Sequence, residues 1–100
     1  MSWASAAILK LQQGETVQLR PRGHSMRGRV ESGQLVTIAP VDEGTLAVDD
    51  IVLCAVRGVH YLHLIKARQG ARFQIGNNRG GINGWIGARA IYGRCVRVDP

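Results

Sequence analysis

Ser25 lies in the segment Gly23-His24-Ser25-Met26, bracketed by Gly23 and Gly28, and His63 lies between two leucines, Leu62 and Leu64. A hydroxyl is a poor nucleophile at neutral pH unless a neighbouring base takes its proton. Imidazole titrates near neutrality and can be that base without a large pKa shift. A serine on a tight turn and a histidine presented from a strand are together the minimum equipment for a hydrolytic nucleophile. Each residue also has an ordinary use: serine satisfies turns, and a histidine among apolar neighbours is commonly a satisfied core or edge residue. Order and spacing decide between these uses. Lys66, three residues beyond His63, is the alternative base. Side chains alternate along a strand, so positions three apart point to opposite faces unless a bulge intervenes. By that parity Lys66 and His60 turn away if His63 faces Ser25. His24 reads as a solvated loop residue and Met26 as a core plug beneath the turn.

The elements that must position these groups are mostly strands. Residues 2–13 read as a short helix, with Ser2 as cap, Trp3, Ala7 and Leu11 at helical spacing with Ile8 beside them, and Gly14 as the stop. After it the period becomes two. Val17 and Leu19 lead to Pro21, which confines that strand to an edge or an end. Strands follow at 34–39 and 51–56, and an Arg57-Gly58 turn returns the chain along 59–65. A short strand is expected at 72–75. Residues 76–87, rich in glycine and asparagine, read as a loop that Trp85 and Ile86 tuck onto the body. The last strand is 90–98, with Gly93 marking a bulge. The chain thus reads as one mainly β domain over 1–100, a helix in 1–14 and a compact, sheet-rich core in 15–100, built as a barrel or a sandwich.

Composition narrows the partners. The apolar and charged fractions, 45% and 20%, are those of a soluble globular protein. No apolar run reaches membrane-spanning length, and the stretch Ala6-Ala7-Ile8-Leu9 lacks a basic leader. A cytoplasmic protein with no membrane partner is the expectation. Cys54 and Cys95 fall in separate strands and read as reduced, buried residues, with no paired spacing that would hold zinc. No metal or cofactor is expected. The net charge of +6 comes mostly from scattered arginines and favours acidic or polyanionic partners. The few aromatics do not interleave with those arginines as a nucleic-acid stacking platform requires.

Taken in order, these pieces resemble a superfamily of serine peptidases that includes LexA-type repressors, UmuD-type proteins and type I signal peptidases. The resemblance spans roughly residues 17 to 98. It is carried by Gly23-His24-Ser25-Met26, Gly33-Gln34-Leu35-Val36, Asp49-Asp50-Ile51-Val52, the hairpin strand with Leu62-His63-Leu64-Ile65, the turn Gly76-Asn77-Asn78, and the closing Ile91-Tyr92-Gly93-Arg94-Cys95-Val96. It implies a LexA/signal-peptidase-like, barrel-like β fold. It implies Ser25 as nucleophile and His63 as base, since the base is lysine in some members and histidine in others. It also implies an oxyanion site at the turn of His24, Ser25 and Met26, and a peptide substrate lying extended along a sheet edge. Gln34 stands where the family has aspartate, and Arg27-Gly28 where a proline follows serine-methionine. Histidine-type members carry an aspartate in the glycine-asparagine turn or just beyond it. Here those positions are Asn77, Asn78 and Asn83, whose neutral amides could orient His63. Asp49, Asp50 and Asp99 are the carboxylates left to do so.

Two functions follow as expectations. One is a serine peptidase that cleaves a protein partner in trans, or itself at Trp3-Ala4-Ser5-Ala6-Ala7, where the small residues suit a shallow pocket. The other is a catalytically inactive binding module on the same fold, whose basic surface contacts nucleic acid or an acidic protein. Pairing of exposed sheet edges into a homodimer is compatible with both.

Overall fold

Alternation of apolar and polar residues, broken by glycine turns, produces a sheet of seven antiparallel strands. The computed structural model describes residues 3–100. Helix α1 (Ser5–Gln12) is followed by β1 (Val17–Leu19), β2 (Leu35–Ala39), β3 (Ile51–Val56), β4 (Val59–Gln69), β5 (Arg72–Gly76), β6 (Ile82–Gly87) and β7 (Ile91–Asp99), with single 3₁₀ turns at Glu43–Thr45 and Ala88–Ala90. The sheet order is β1-β2-β7-β3-β4-β5-β6. It is an open sheet, not the closed barrel that sequence patterning allowed. The short β1 lies at one edge, as Pro21 requires.

The central strand β3 is apolar at consecutive positions because it is covered on both faces. Ile51 and Leu53 join Ile8, Leu11, Val36, Ile38, Leu62 and Leu64 in one core. Val52, Cys54 and Val56 join Ile65, Phe73, Ile75 and Ile86 in a second. Helix α1 lies against the first core through Ala4, Ile8 and Leu11, while Trp3, expected on that apolar face, is 56% exposed. The helix begins after Ala4 with no side-chain cap, and the expected cap Ser2 lies outside the described residues. It ends at Gln13 and Gly14, whose positive φ of 84° is the conformation a helix stop demands.

Three features shape the working end of the sheet. The return strand β4 is longer than the expected 59–65. Beyond Ile65 it continues through a bulge at Lys66, because Ile65 pairs with Ile75 and Ala67 with Gln74. Among the described strands, Val59 to His63 pair with β3, and β5 joins β4 from Leu64 onward. The region 76–87, expected as a loop, contains the full strand β6. It pairs with β5 from Ile82↔Gly76 to Gly87↔Arg72, with Ile86 buried and Trp85 partly exposed. Strand β7 carries bulges where its pairing skips Tyr92 against β3 and Val96 against β2. Gly93 is required beside the first, where a Cβ would sit 2.7 Å from Ile38.

Candidate active site

The turn carrying Ser25 is one tight helical loop. Arg27 N–H donates to His24 O, and Arg29 and Val30 N–H both donate to Met26 O. Met26 and Val30 plug this loop into the first core, leaving His24 and Ser25 exposed. The loop is then fastened to the β5–β6 hairpin. Asn78 N–H donates to Ser25 O at 2.9 Å, and Asn78 Nδ2 donates to Arg27 O at 2.8 Å. Gly28, with φ +95°, leaves just enough room, since a Cβ there would meet Asn78 Nδ2 at 3.1 Å.

His63 sits opposite on β4, paired with Val52 and 6% exposed. Its Nε2 lies 3.0 Å from Ser25 Oγ, and its Nδ1 lies 2.7 Å from Asn83 Oδ1 on β6. An amide oxygen can only accept, so Nδ1 carries the proton and Nε2 presents its lone pair to the serine hydroxyl. This is the tautomer a general base needs. Burial pushes the His63 pKa below its ordinary value of 6.5, and the Asn83 hydrogen bond opposes that shift without cancelling it. The ring is therefore neutral at physiological pH and able to take a proton. Tyr61, two residues earlier on the same face of β4, stacks on it with centroids 4.8 Å apart and planes 28° from parallel.

Of the three asparagines, only Asn83 reaches His63. Asn77 serves its own hairpin: its Oδ1 accepts from Arg79 N–H and Gly81 N–H, both at 2.8 Å, while its N–H donates to Gly81 O. Asn78 holds the nucleophile's loop, as described. Lys66 turns its ammonium to Asn77 O at 3.2 Å, where it braces the hairpin rather than facing the serine. His60 stands edge-on to Tyr92 at 6.2 Å. Two of the three carboxylates are engaged elsewhere. Asp50 accepts from Ala47 N–H and pairs with Arg94, and Asp99 pairs with Arg97. Asp49, in a left-handed conformation, offers its backbone carbonyl to Arg29.

Among the described residues, none accepts a hydrogen bond from the backbone N–H of His24, Ser25 or Met26. His24 and Ser25 are exposed, whereas Met26 is buried. A cleft of about 320 Å³ leads away from Ser25 and His63 between residues 20–23 and the start of β4, floored by Met26, Val30 and Leu62. Its other flank is the start of β4, from His60 to His63.

Asn83 is the one site residue whose role the sequence left among three. Its signal was masked because Gly80, Gly81 and Gly84 make the strand that bears it resemble a loop. Comparison with family models, with curated proteins and with solved structures gave no match. No described helix is long and apolar enough to cross a membrane.

Proposed function

We propose that this protein is a serine hydrolase of the LexA/signal-peptidase-like type that cleaves a peptide bond in a partner protein. The observation that carries this reading is the exposed Ser25 Oγ 3.0 Å from a buried, neutral His63 whose second nitrogen is held by Asn83. A serine, histidine and amide arranged in this way form a nucleophile, base and orienter, as cysteine, histidine and asparagine do in other peptidases. The LexA-like fold is part of the same proposal, supported by the order of turn, hairpin, asparagine-rich turn and closing strand.

In this mechanism the peptide lies extended in the cleft, alongside the start of β4. Ser25 Oγ attacks the carbonyl carbon as His63 Nε2 takes the hydroxyl proton. Free N–H groups of the 24–26 turn hold the resulting oxyanion. The C–N bond breaks as His63 returns the proton to the leaving amine, leaving an acyl ester on Ser25. Water then attacks the ester, its proton passing through His63 to Ser25 Oγ as the acid product departs. Cleavage in trans is favoured over cleavage at Trp3–Ala7. Ala4 is fully buried, and the residues after it are helical, so self-cleavage would first have to unwind α1.

The test is labelling with a fluorophosphonate, read by intact mass. The expected outcome is a single adduct on the wild type that is absent in Ser25→Ala and reduced at least about a hundredfold in rate in His63→Ala. A folded wild type that forms no adduct between pH 6 and pH 9 overturns the reading. The second reading, a catalytically inactive binding module, is favoured by one observation: the group on His63 is a neutral amide, which stabilises an imidazolium less than a carboxylate does. For that module, binding to a nucleic acid would weaken steeply with salt.

A further inference from the structure

We propose that the cleft beside Ser25 selects peptides carrying an acidic side chain, and that Arg22 is the residue that reads it. The proposal takes the occupant of the cleft, an extended peptide, from the hydrolase reading above. The cleft is walled on one side by the segment leading from β1 to the Ser25 turn, which brings two arginines to it. Arg20 is already engaged, its Nη1 donating to Gly33 O at 2.8 Å and to Pro100 O at 3.4 Å. Arg22 is exposed, and among the described residues no acceptor takes a hydrogen bond from it and no carboxylate pairs with it.

The stem that carries Arg22 is fixed on both sides. Gly33 N–H donates to Pro21 O at 2.8 Å, and Gly23 N–H donates to Ser32 Oγ at 3.2 Å. Other arginines of the sheet are used in the fold: Arg94 on Asp50, Arg97 on Asp99, and Arg68 over the Phe73 ring. Arg22 does none of this and faces a binding cleft. Glu31, the acid in the same cleft, is turned to the Ser25 loop, where its Oε2 accepts from Gly28 N–H at 2.7 Å.

A strand laid over the apolar floor would cover the guanidinium and lower the dielectric around it. A glutamate or aspartate within reach would then gain a charge-assisted, bidentate pair. A glutamine would satisfy it less well, and a lysine would place like charges together under cover. Selectivity therefore has a repulsive as well as an attractive component.

The experiment uses internally quenched peptides of alanine, leucine and glycine, with one Glu, Gln or Lys moved stepwise through each position. Each peptide is assayed for cleavage by the wild type and titrated onto Ser25→Ala by fluorescence anisotropy. At one position the Glu peptide is expected to exceed its Gln counterpart by about three- to tenfold in kcat/KM and in affinity. The preference should vanish in Arg22→Gln and turn toward Lys in Arg22→Glu, with unchanged thermal midpoints showing that both variants fold. Equal Glu and Gln peptides throughout, or a preference that survives Arg22→Gln, overturns the proposal. If no peptide is cleaved and no fluorophosphonate adduct forms, the hydrolase reading falls, and the anisotropy arm still decides whether Arg22 selects acidic peptides.

Discussion

His63 is held between a serine hydroxyl that donates to Nε2 and an amide oxygen that can only accept from Nδ1. Asn83→Ala removes the group that fixes the tautomer. The fluorophosphonate adduct is then expected to form at least about tenfold more slowly, with the fold intact. Asn83→Asp places a carboxylate against Nδ1 and raises the His63 pKa, so the acid limb of the labelling rate should move to higher pH. Nuclear magnetic resonance titration of the ring would follow both changes directly. Stability carries the same signature. The folded chain holds His63 neutral below its ordinary pKa, whereas the unfolded chain protonates it near 6.5. The unfolded state therefore binds more protons in that interval, and stability falls as pH drops below about 6.5. Urea midpoints at pH 8 and pH 5 should show a smaller acid loss in His63→Gln than in the wild type.

The β5–β6 hairpin anchors the loop that carries Ser25. Removing the Asn78 side chain by Asn78→Ala deletes its bond to Arg27 O and is expected to cost about 1 kcal/mol. The adduct rate should fall further than that loss of stability explains, because the Ser25 loop is released from its anchor. Gly81→Ala acts one step earlier. A Cβ there would sit 2.6 Å from Asn77 Nδ2, so Asn77 must move and give up its two backbone bonds. A cost of about 1–3 kcal/mol is expected by thermal unfolding. These same residues show where sequence reading stops. The β3–β4 hairpin was legible to the residue at 51–56 and at Arg57-Gly58, because its apolar run and turn chemistry agree. His63 faces Ser25, but the bulge at Lys66 breaks the alternation on which strand parity relied to set Lys66 aside. Strand β6 was not legible: glycines at 80, 81 and 84 weaken local strand propensity, and only pairing with β5 makes the segment extended. With that strand went the choice among Asn77, Asn78 and Asn83, which is decided by register and cannot be read from composition. Trp3 was misplaced for a related reason, since helical spacing finds an apolar face but not how far a core extends past the first turn.

At the scale of the molecule, β3 divides the two cores, and Cys54 lies in the second. Its thiol is fully buried, and burial pushes its pKa up to about 12. Cys95 is half-buried, and burial raises its pKa too, against a lowering by a backbone hydrogen bond from Arg97 and by the Arg29 charge. A thiol reagent at pH 8 is expected to modify Cys95 slowly in the native protein and to reach Cys54 only on global unfolding. Mass spectrometry across a urea series would show this as two separate modification steps.

The site is also assembled from distant parts of the chain. Ser25 and His63 are 38 residues apart in sequence, and His63 and Asn83 are 20 apart. The β3–β4 hairpin, joined by the two-residue turn Arg57-Gly58, is local and can zip early. It carries His63 but neither of its partners. The Ser25 loop is seated only once β5 and β6 have paired and Asn78 has met it. On the proposed hydrolase reading, a chain in which the β5–β6 hairpin has not formed lacks the Asn83 contact to His63 and the Asn78 anchor of the Ser25 loop, and labelling of Ser25 would report that these segments have come together. On the same reading, a nascent or partly unfolded chain would be unreactive toward its own backbone until the three segments meet.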